Sequence, residues 1–228
     1  MRKLRNNIKR YLLKPGRFIY LSKYFNKKDS FKVLDIGCGS DSYALTKRNF
    51  PYCNYYGLDK GAWHSNDEDY DEIENFIHAD LDAPGWSSSI DLKFDLIIMS
   101  HVVEHLKDYK EAICEASELL DDNGLLYIET PSPQTINFPK ADGFLNFYDD
   151  PTHTKIVFPN DLIKILQSQS LIVLKSVRRR LISRILSVGL VAVFLNIFWY
   201  LPIQKKLKSP GLWDIYGVPW VTIAQNKK

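Results

Sequence analysis

The sequence predicts an α/β fold of three layers, with a mostly parallel seven-stranded sheet and a hydrophobic insertion between strands six and seven. Two observations carry this reading. Short apolar, β-branched runs recur along the chain, each closed by Gly, Pro or an acid, as buried strands are. Between most of them lie stretches with helical periodicity, and alternation at these lengths builds a sheet with helices on both faces.

The elements follow in order. FKVLDIGCG gives a first strand, Lys32 to Ile36, running into a glycine turn, SYALTKRNF a short helix, and YYGLD a second strand ending on Asp59. The acid-rich stretch Asp67 to Glu74 reads as a solvated loop or helix face. NFIHAD gives a third strand ending near Asp80 and FDLIIMS a fourth ending near Ser100. In VVEHLKDYKEAICEASELL, residues Val103, Leu106, Ile113, Ala116 and Leu120 recur close to a helical period, which predicts a helix stopped by Asp121-Asp122-Asn123-Gly124 with the glycine as C-cap. LLYIETPSP is a fifth strand, PNDLIKILQSQ a helix capped near Asn160 or Asp161, LIVLKSV a sixth strand and PWVTIAQN a seventh.

With 228 residues, 45% of them hydrophobic and 25% charged, the chain should form one globular domain, which excludes disordered, collagen-like and coiled-coil classes. A net charge of +3 gives no argument for nucleic acid, but its distribution is uneven. Residues 1–28 carry ten Lys/Arg and no acid, residues 29–174 ten against 26 acids, and residues 175–228 ten against Asp214 alone. The expected organisation is a basic N-terminal arm over 1–28 and a domain over 29–228, with the insertion at about 181–216. An acidic body between basic ends suggests that both ends face one anionic surface; the plainer reading is two solvated basic flanks. Cys38, Cys53 and Cys114 are odd in number and form no CxxC pair, so neither a disulfide scaffold nor a zinc ribbon is expected, and a reducing cytoplasm fits. The basic N-terminus lacks the apolar stretch of a secretory signal.

Within the insertion, Ile185 to Gln204 holds no charged residue; Arg178, Arg179, Arg180 and Arg184 precede it, and Lys205, Lys206 and Lys208 follow. The run is long enough to span a bilayer as a helix at about 1.5 Å per residue. A true span would strand the seventh strand on the far side. Three readings stay open: an interfacial or re-entrant membrane hairpin, a buried or dimer-forming helix, and a full span.

In an open α/β sheet, ligands bind beyond the carboxyl ends of the strands, so the residues worth reading are Asp35-Ile36-Gly37-Cys38-Gly39, Asp59-Lys60, Asp80-Leu81 and Ser100-His101. Two glycines allow close backbone approach to a ligand, and an acid ending strand two suits the paired hydroxyls of a ribose. VLDIGCG, the acid after strand two, AD after strand three and FDLIIMSHVVEH together resemble the class I S-adenosylmethionine-dependent methyltransferases, in the small-molecule and glycan branch. The resemblance covers roughly residues 31 to 175, with a last strand at Trp220 to Ala224. It implies a Rossmann-like methyltransferase fold and S-adenosylmethionine as cofactor. Asp35, Gly37, Cys38 and Gly39 would surround the methionine portion, Asp59 with Lys60 the ribose, Asp80 and Leu81 the adenine, and Ser100 and His101 would close the site. The family usually has a third glycine where this chain has Asp41, a carboxylate tolerable beside a sulfonium and poor beside a pyrophosphate. A dinucleotide-dependent oxidoreductase is accordingly disfavoured.

After strand four the chain lacks the NPPY-type sequence of amino-methylating enzymes, so the expected acceptor is a hydroxyl of a small-molecule, glycan or lipid-linked compound. A hydroxyl needs a base. The resemblance places a substrate loop at FYDDPTHTKIVFP, and its His153 is the expected catalytic base; the other reading is a histidine that orders the loop. His101 and His105, four apart beside Glu104, look like a metal pair on one helix face, but no carboxylate ligand at metal spacing is evident and no metal is expected. His64 and His78 read as structural, and Trp63 as a cover for the pocket. The expected protein is a methyltransferase on the cytoplasmic membrane face, without nucleic acid, able to dimerise through the insertion. Its rival is a non-catalytic cofactor-binding scaffold of a membrane assembly.

Overall fold

The computed structural model describes residues 15–39, 42–61, 73–138, 140, 146–180 and 217–227. The elements run α1 (Gly16–Leu21), β1 (Lys32–Ile36), α2 (Ser42–Asn49), β2 (Asn54–Asp59), β3 (Phe76–His78), β4 (Phe94–Ser100), α3 (Tyr109–Glu118), β5 (Leu120–Pro131), α4 (Pro159–Ser168), β6 (Leu171–Arg178) and β7 (Pro219–Asn226), with single 3₁₀ turns at Val103–His105, Pro133–Asn137 and Phe147–Asp149. The sheet order is β3-β2-β1-β4-β5-β7-β6. β1 therefore lies between β2 and β4, and the chain winds outward in opposite directions from that point, opening a crevice at the strand ends.

The expected mostly parallel sheet is a mixed one. β1 to β5 pair in parallel, whereas β7 is antiparallel to both β5 and β6, with Leu126 opposite Ala224 and Val173 opposite that same Ala224. β7 runs back between two strands that share a direction, which forces two antiparallel ladders on it.

Alternation along the strands divides the core into two layers. On one face Leu34, Ile97, Met99, Leu126 and Ile128 meet Ala112, Ile113 and Ala116 of α3 and Leu162 and Leu166 of α4. On the other, Val33, Leu96, Ile98, Tyr127 and Val221 meet Phe18 and Leu21 of α1, with Phe50 edge-on to Phe18 at 5.9 Å. Within the 1–28 segment, α1 is thus a core helix.

Two local expectations are corrected. The helix foreseen from Val103 onward begins only at Tyr109, because the Asp108 side chain accepts from Lys110 N and Glu111 N and caps it there. Val103–His105 is a separate turn, and Leu106 is extended. Asp121-Asp122-Asn123-Gly124 is not a helix stop: it lies inside β5, where Asn123 takes φ 62° and the pairing register with β4 shifts between Phe94 and Leu96. The left-handed tolerance of Asn serves an irregular strand here instead of a cap. Helix α4 has its N-cap at Phe158, two residues before Asn160 and three before Asp161. The 181–216 insertion lies outside the described residues, among which no helix is long and apolar enough to cross a membrane.

Leu126 is fully buried in the central layer, while Ile172 on β6 is 44% exposed. Leu126→Ala should lower unfolding free energy by about 2–5 kcal/mol, and Ile172→Thr should stay within about 0.5 kcal/mol. Urea titrations of the two variants check the contrast.

Candidate active site

The glycine turn after β1 is folded onto the end of β2. Gly37 N and Cys38 N donate to Leu58 O at 2.7 and 3.3 Å, and Gly39 N donates to Asp59 Oδ2 at 3.2 Å. Gly37 (φ 67°) has no room for a side chain, since a Cβ there would lie 2.4 Å from Val102 Cγ2. Gly39 (φ 50°) is the opposite case: a Cβ would meet nothing within 4 Å, so open space lies against its backbone. Asp59 is buried, and its Oδ1 accepts from Lys60 N at 2.8 Å. Each Asp59 oxygen thus takes one backbone N–H and keeps a lone pair, a fit for two vicinal hydroxyls. Ala79 N donates to Asp59 O at 3.2 Å, which brings the Asp80-Leu81 turn to the same place. Asp80 Oδ1 accepts from Asp82 N, Leu81 packs on the core, and Lys107 N donates to Asp82 Oδ1, tying that turn to the segment after β4.

Asp35 has protein partners of its own. It is buried, and its Oδ2 accepts from the Ser42 hydroxyl and from Tyr55 OH at 3.1 Å. Burial raises its pKa, partly offset by the nearby Arg17 guanidinium and by these two bonds. Asp35 therefore braces the glycine turn against α2 and β2. Arg17, which donates to Ser42 Oγ at 2.8 Å, was hidden in the sequence among nine other basic residues of the N-terminal segment. The Cys38 thiol is buried and pushed up to about 12, first by burial and then by Asp35 and Asp59, so its side chain is inert and only its backbone serves the turn. Asp41, Trp63 and His64 lie outside the described residues.

A second set of groups gathers after β4 and β5. Ser100 stands opposite Glu129, and His101 leaves the strand at φ 59°, left-handed backbone that costs a non-glycine residue about 1–2 kcal/mol. The strain is held by His101 N donating to Glu129 O at 2.8 Å and by the ring bridging two buried carboxylates, Nδ1 to Glu104 Oε1 at 3.1 Å and Nε2 to Glu129 Oε1 at 3.2 Å. Burial alone would lower the imidazole pKa, but the bonds and charges of Glu104 and Glu129 outweigh it and raise it to about 9. Glu129 also accepts from Tyr127 OH and from Arg179, and although burial opposes ionisation, the Arg179 charge and these bonds hold its carboxyl well below the usual range. Sequence reasoning missed this carboxylate; the available signal was an acid inside an apolar strand, ending LLYIET.

His101 and His105 do not share a helix face. His105 turns toward the loop after β5, where its Nδ1 lies 2.9 Å from Thr152 Oγ1 and its ring centroid 4.9 Å from that of His153. His153 Nδ1 donates to Phe147 O at 2.6 Å, and Nε2 lies 3.9 Å from Asp150 Oδ2. The loop is docked by Thr154, whose N and Oγ1 donate to Glu104 O at 2.8 and 3.1 Å. Between these elements is a cavity of about 180 Å³ walled by His101, Glu104, His105, Phe147, Asp150 and His153.

A mixed sheet in this strand order, with a glycine turn and a buried strand-end acid at the β1/β4 switch point, forms a ligand crevice of the doubly wound α/β type. Residues 2–174 match the family model described as a methyltransferase domain, and the chain belongs to that family. Among curated proteins it is 25% identical over 152 residues to (S)-tetrahydroprotoberberine N-methyltransferase of Eschscholzia californica, covering 64% of this chain and 41% of that one. It is 28% identical over 153 residues to the ubiquinone biosynthesis O-methyltransferase of Pelagibacter ubique, covering 62% of each. A SAM-dependent methyltransferase from Archaeoglobus fulgidus shares its fold at a TM-score of 0.57 and 23% identity, over 92% of both chains. The chain thus carries a domain of the S-adenosylmethionine-dependent methyltransferase class and spans less than half the length of that N-methyltransferase; the Asp59 carboxylate and the open face of Gly39 fit S-adenosylmethionine.

Asp59→Ala removes both the uncommitted carboxylate lone pairs and the anchor of Gly39. Calorimetry should find S-adenosylmethionine binding weakened by about 1.5–3 kcal/mol for each charge-assisted bond lost. Unchanged affinity would take Asp59 out of the site.

Proposed function

We propose that the protein transfers the methyl group of S-adenosylmethionine to a hydroxyl of a small-molecule, glycan or lipid-linked acceptor at the cytoplasmic face of a membrane. The observation that carries this reading is the cavity beside His101, whose polar lining includes the Glu104 and Asp150 carboxylates and two imidazoles held by hydrogen bonds through Nδ1. A hydroxyl is a weak nucleophile until its proton is taken, and such a wall suits that need better than the need of a neutral amine, which attacks with a lone pair it already has. The segment MSHVVEH after β4, which lacks an NPPY-type sequence, supports the same choice. When bound, the cofactor supplies an electrophilic methyl on a sulfonium. The chain's own work is to hold the ribose at Asp59, to line the acceptor cavity with Phe147, and to receive the acceptor's proton at Nε2 of His153.

Two measurements test this reading. Methyl-labelled S-adenosylmethionine incubated with lipid and glycan extracts should yield a labelled methyl ether, whereas a labelled amine would contradict hydroxyl transfer. His153→Ala should lower kcat by about 10²–10⁴ with cofactor affinity unchanged. A loop-ordering role predicts raised KM with kcat preserved.

The membrane part rests on the sequence. Ten Lys/Arg in residues 1–28 join the uncharged run Ile185 to Gln204 and its seven basic neighbours, and each basic residue near an anionic surface contributes about 1 kcal/mol. In density-gradient flotation the protein should rise with anionic vesicles, salt should reduce this only in part, and deletion of Leu186 to Tyr200 should abolish it. A protein that stays at the bottom while forming a dimer broken by the deletion would make the insertion a subunit contact.

A further inference from the structure

We propose that Glu104, His105 and His153 form a binding site for one divalent transition-metal cation of the imidazole-preferring class. One ligand atom from each of the three residues lies within 4.8 Å of the others. The spread is wide for a bare cluster, yet a cation with bonds of about 2.0–2.2 Å would draw the three atoms together by roughly 1 Å, a movement within reach of side-chain rotation.

Proton accounting shows which atoms have lone pairs to give. His153 Nδ1 lies 2.6 Å from Phe147 O, a carbonyl that can only accept, so the ring proton is on Nδ1 and Nε2 is bare. The Thr152 hydroxyl donates to Asp150 Oδ1 at 2.6 Å, so its oxygen is left to accept from His105 Nδ1 at 2.9 Å. The carbonyl of Thr152, 3.3 Å from the same nitrogen, requires the same tautomer. Both imidazoles are oriented through Nδ1–H by protein oxygens, and in the neutral ring this leaves Nε2 as the lone-pair atom, the outer-shell arrangement that fixes metal-binding histidines.

Glu104 supplies the independent observation. It is fully buried, its Oε1 is engaged by His101, and its Oε2 has no hydrogen-bond partner. A buried carboxylate oxygen without a partner among the described residues is costly, and a cation in the cavity that Glu104 helps to wall would supply one. Two neutral imidazoles and one carboxylate form a donor set known for Zn²⁺ and for other first-row cations with open positions. Asp150, whose Oδ2 is 3.9 Å from His153 Nε2, stands as the adjacent outer carboxylate. Spacing in the sequence concealed this set, because Glu104 and His105 are neighbours and His153 comes from a different loop.

The inference deepens the hydroxyl-transfer reading and rests on it for its role only. With a cation held by Glu104, His105 and His153, Nε2 of His153 would serve as a ligand in place of proton acceptor; the cation would supply Lewis acidity that eases loss of the acceptor hydroxyl's proton, which would pass to water.

The test uses the full chain after chelator treatment and dialysis, titrated with Zn²⁺ alone and with Co²⁺ alone, binding being followed by calorimetry and by the Co²⁺ absorption spectrum. One cation per chain is expected. His105→Ala and His153→Ala should each weaken binding by more than the roughly 10–100-fold that outer-shell changes cost, Thr152→Val should fall within that range, and His78→Gln on β3 should bind as the parent does. His105 and His153 are only partly buried, so those variants should fold; matching thermal melts would establish it. No binding of either cation, or binding indifferent to His105→Ala and His153→Ala, overturns the site. Ether formation that continues under strong chelation, together with absent binding, overturns the site and leaves the hydroxyl reading standing. Triad-dependent binding by a protein that methylates only amines supports the site and removes that reading.

Discussion

Glu129 is the group on which the acceptor half of the molecule depends. It sits in the apolar interior of β5, where an ionised carboxylate survives only if its charge and lone pairs are met. Arg179 meets the charge, Tyr127 donates a hydroxyl proton, and His101 brings a ring N–H from the end of β4. Holding His101 there imposes its left-handed backbone, and the ring's other nitrogen fixes Glu104. The Glu104 carbonyl in turn receives Thr154, which seats the loop carrying His153. One buried carboxylate thereby connects two central strands, the end of β6 and the acceptor loop. Removing one member would leave the others buried and unpaired, which is costlier than never having had them.

The cofactor half is built from backbone. Gly37 and Cys38 are tied to Leu58, and Gly39 and Lys60 to Asp59, so a single side chain among them faces a ligand with uncommitted lone pairs. Histidines and carboxylates line the separate cavity beyond β4 and β5.

The strands, the glycine turn and Asp59 were legible in the sequence because each is a local signal: a β-branched run, a residue free to take positive φ, an acid at a strand end. Position 35 was legible as a residue of the turn, but its bonds to Ser42 and Tyr55 were not, since they come from elements that only the fold brings together. Asp121 to Gly124 misled because the residue types that stop a helix also tolerate an irregular strand, and pairing with β4 decides between the two. Arg17, Glu129 and Arg179 carried no periodic or spacing signal, and the direction of β7 follows from tertiary placement. The triad of Glu104, His105 and His153 joins residues 49 positions apart and could not be read from spacing.

The central claim is that the loop after β5 leaves the Nε2 lone pairs of His105 and His153 bare toward the cavity, and nitrogen-15 NMR of histidine-labelled protein reads it directly. With only five histidines in the chain, single substitutions assign each ring. Without added metal, the neutral form of each ring should show the pattern of the Nδ1–H tautomer, with Nε2 as the lone-pair nitrogen. A neutral ring carrying its proton on Nε2, at either position, would contradict the hydrogen-bond arrangement from which both the proton acceptor and the cation site are drawn.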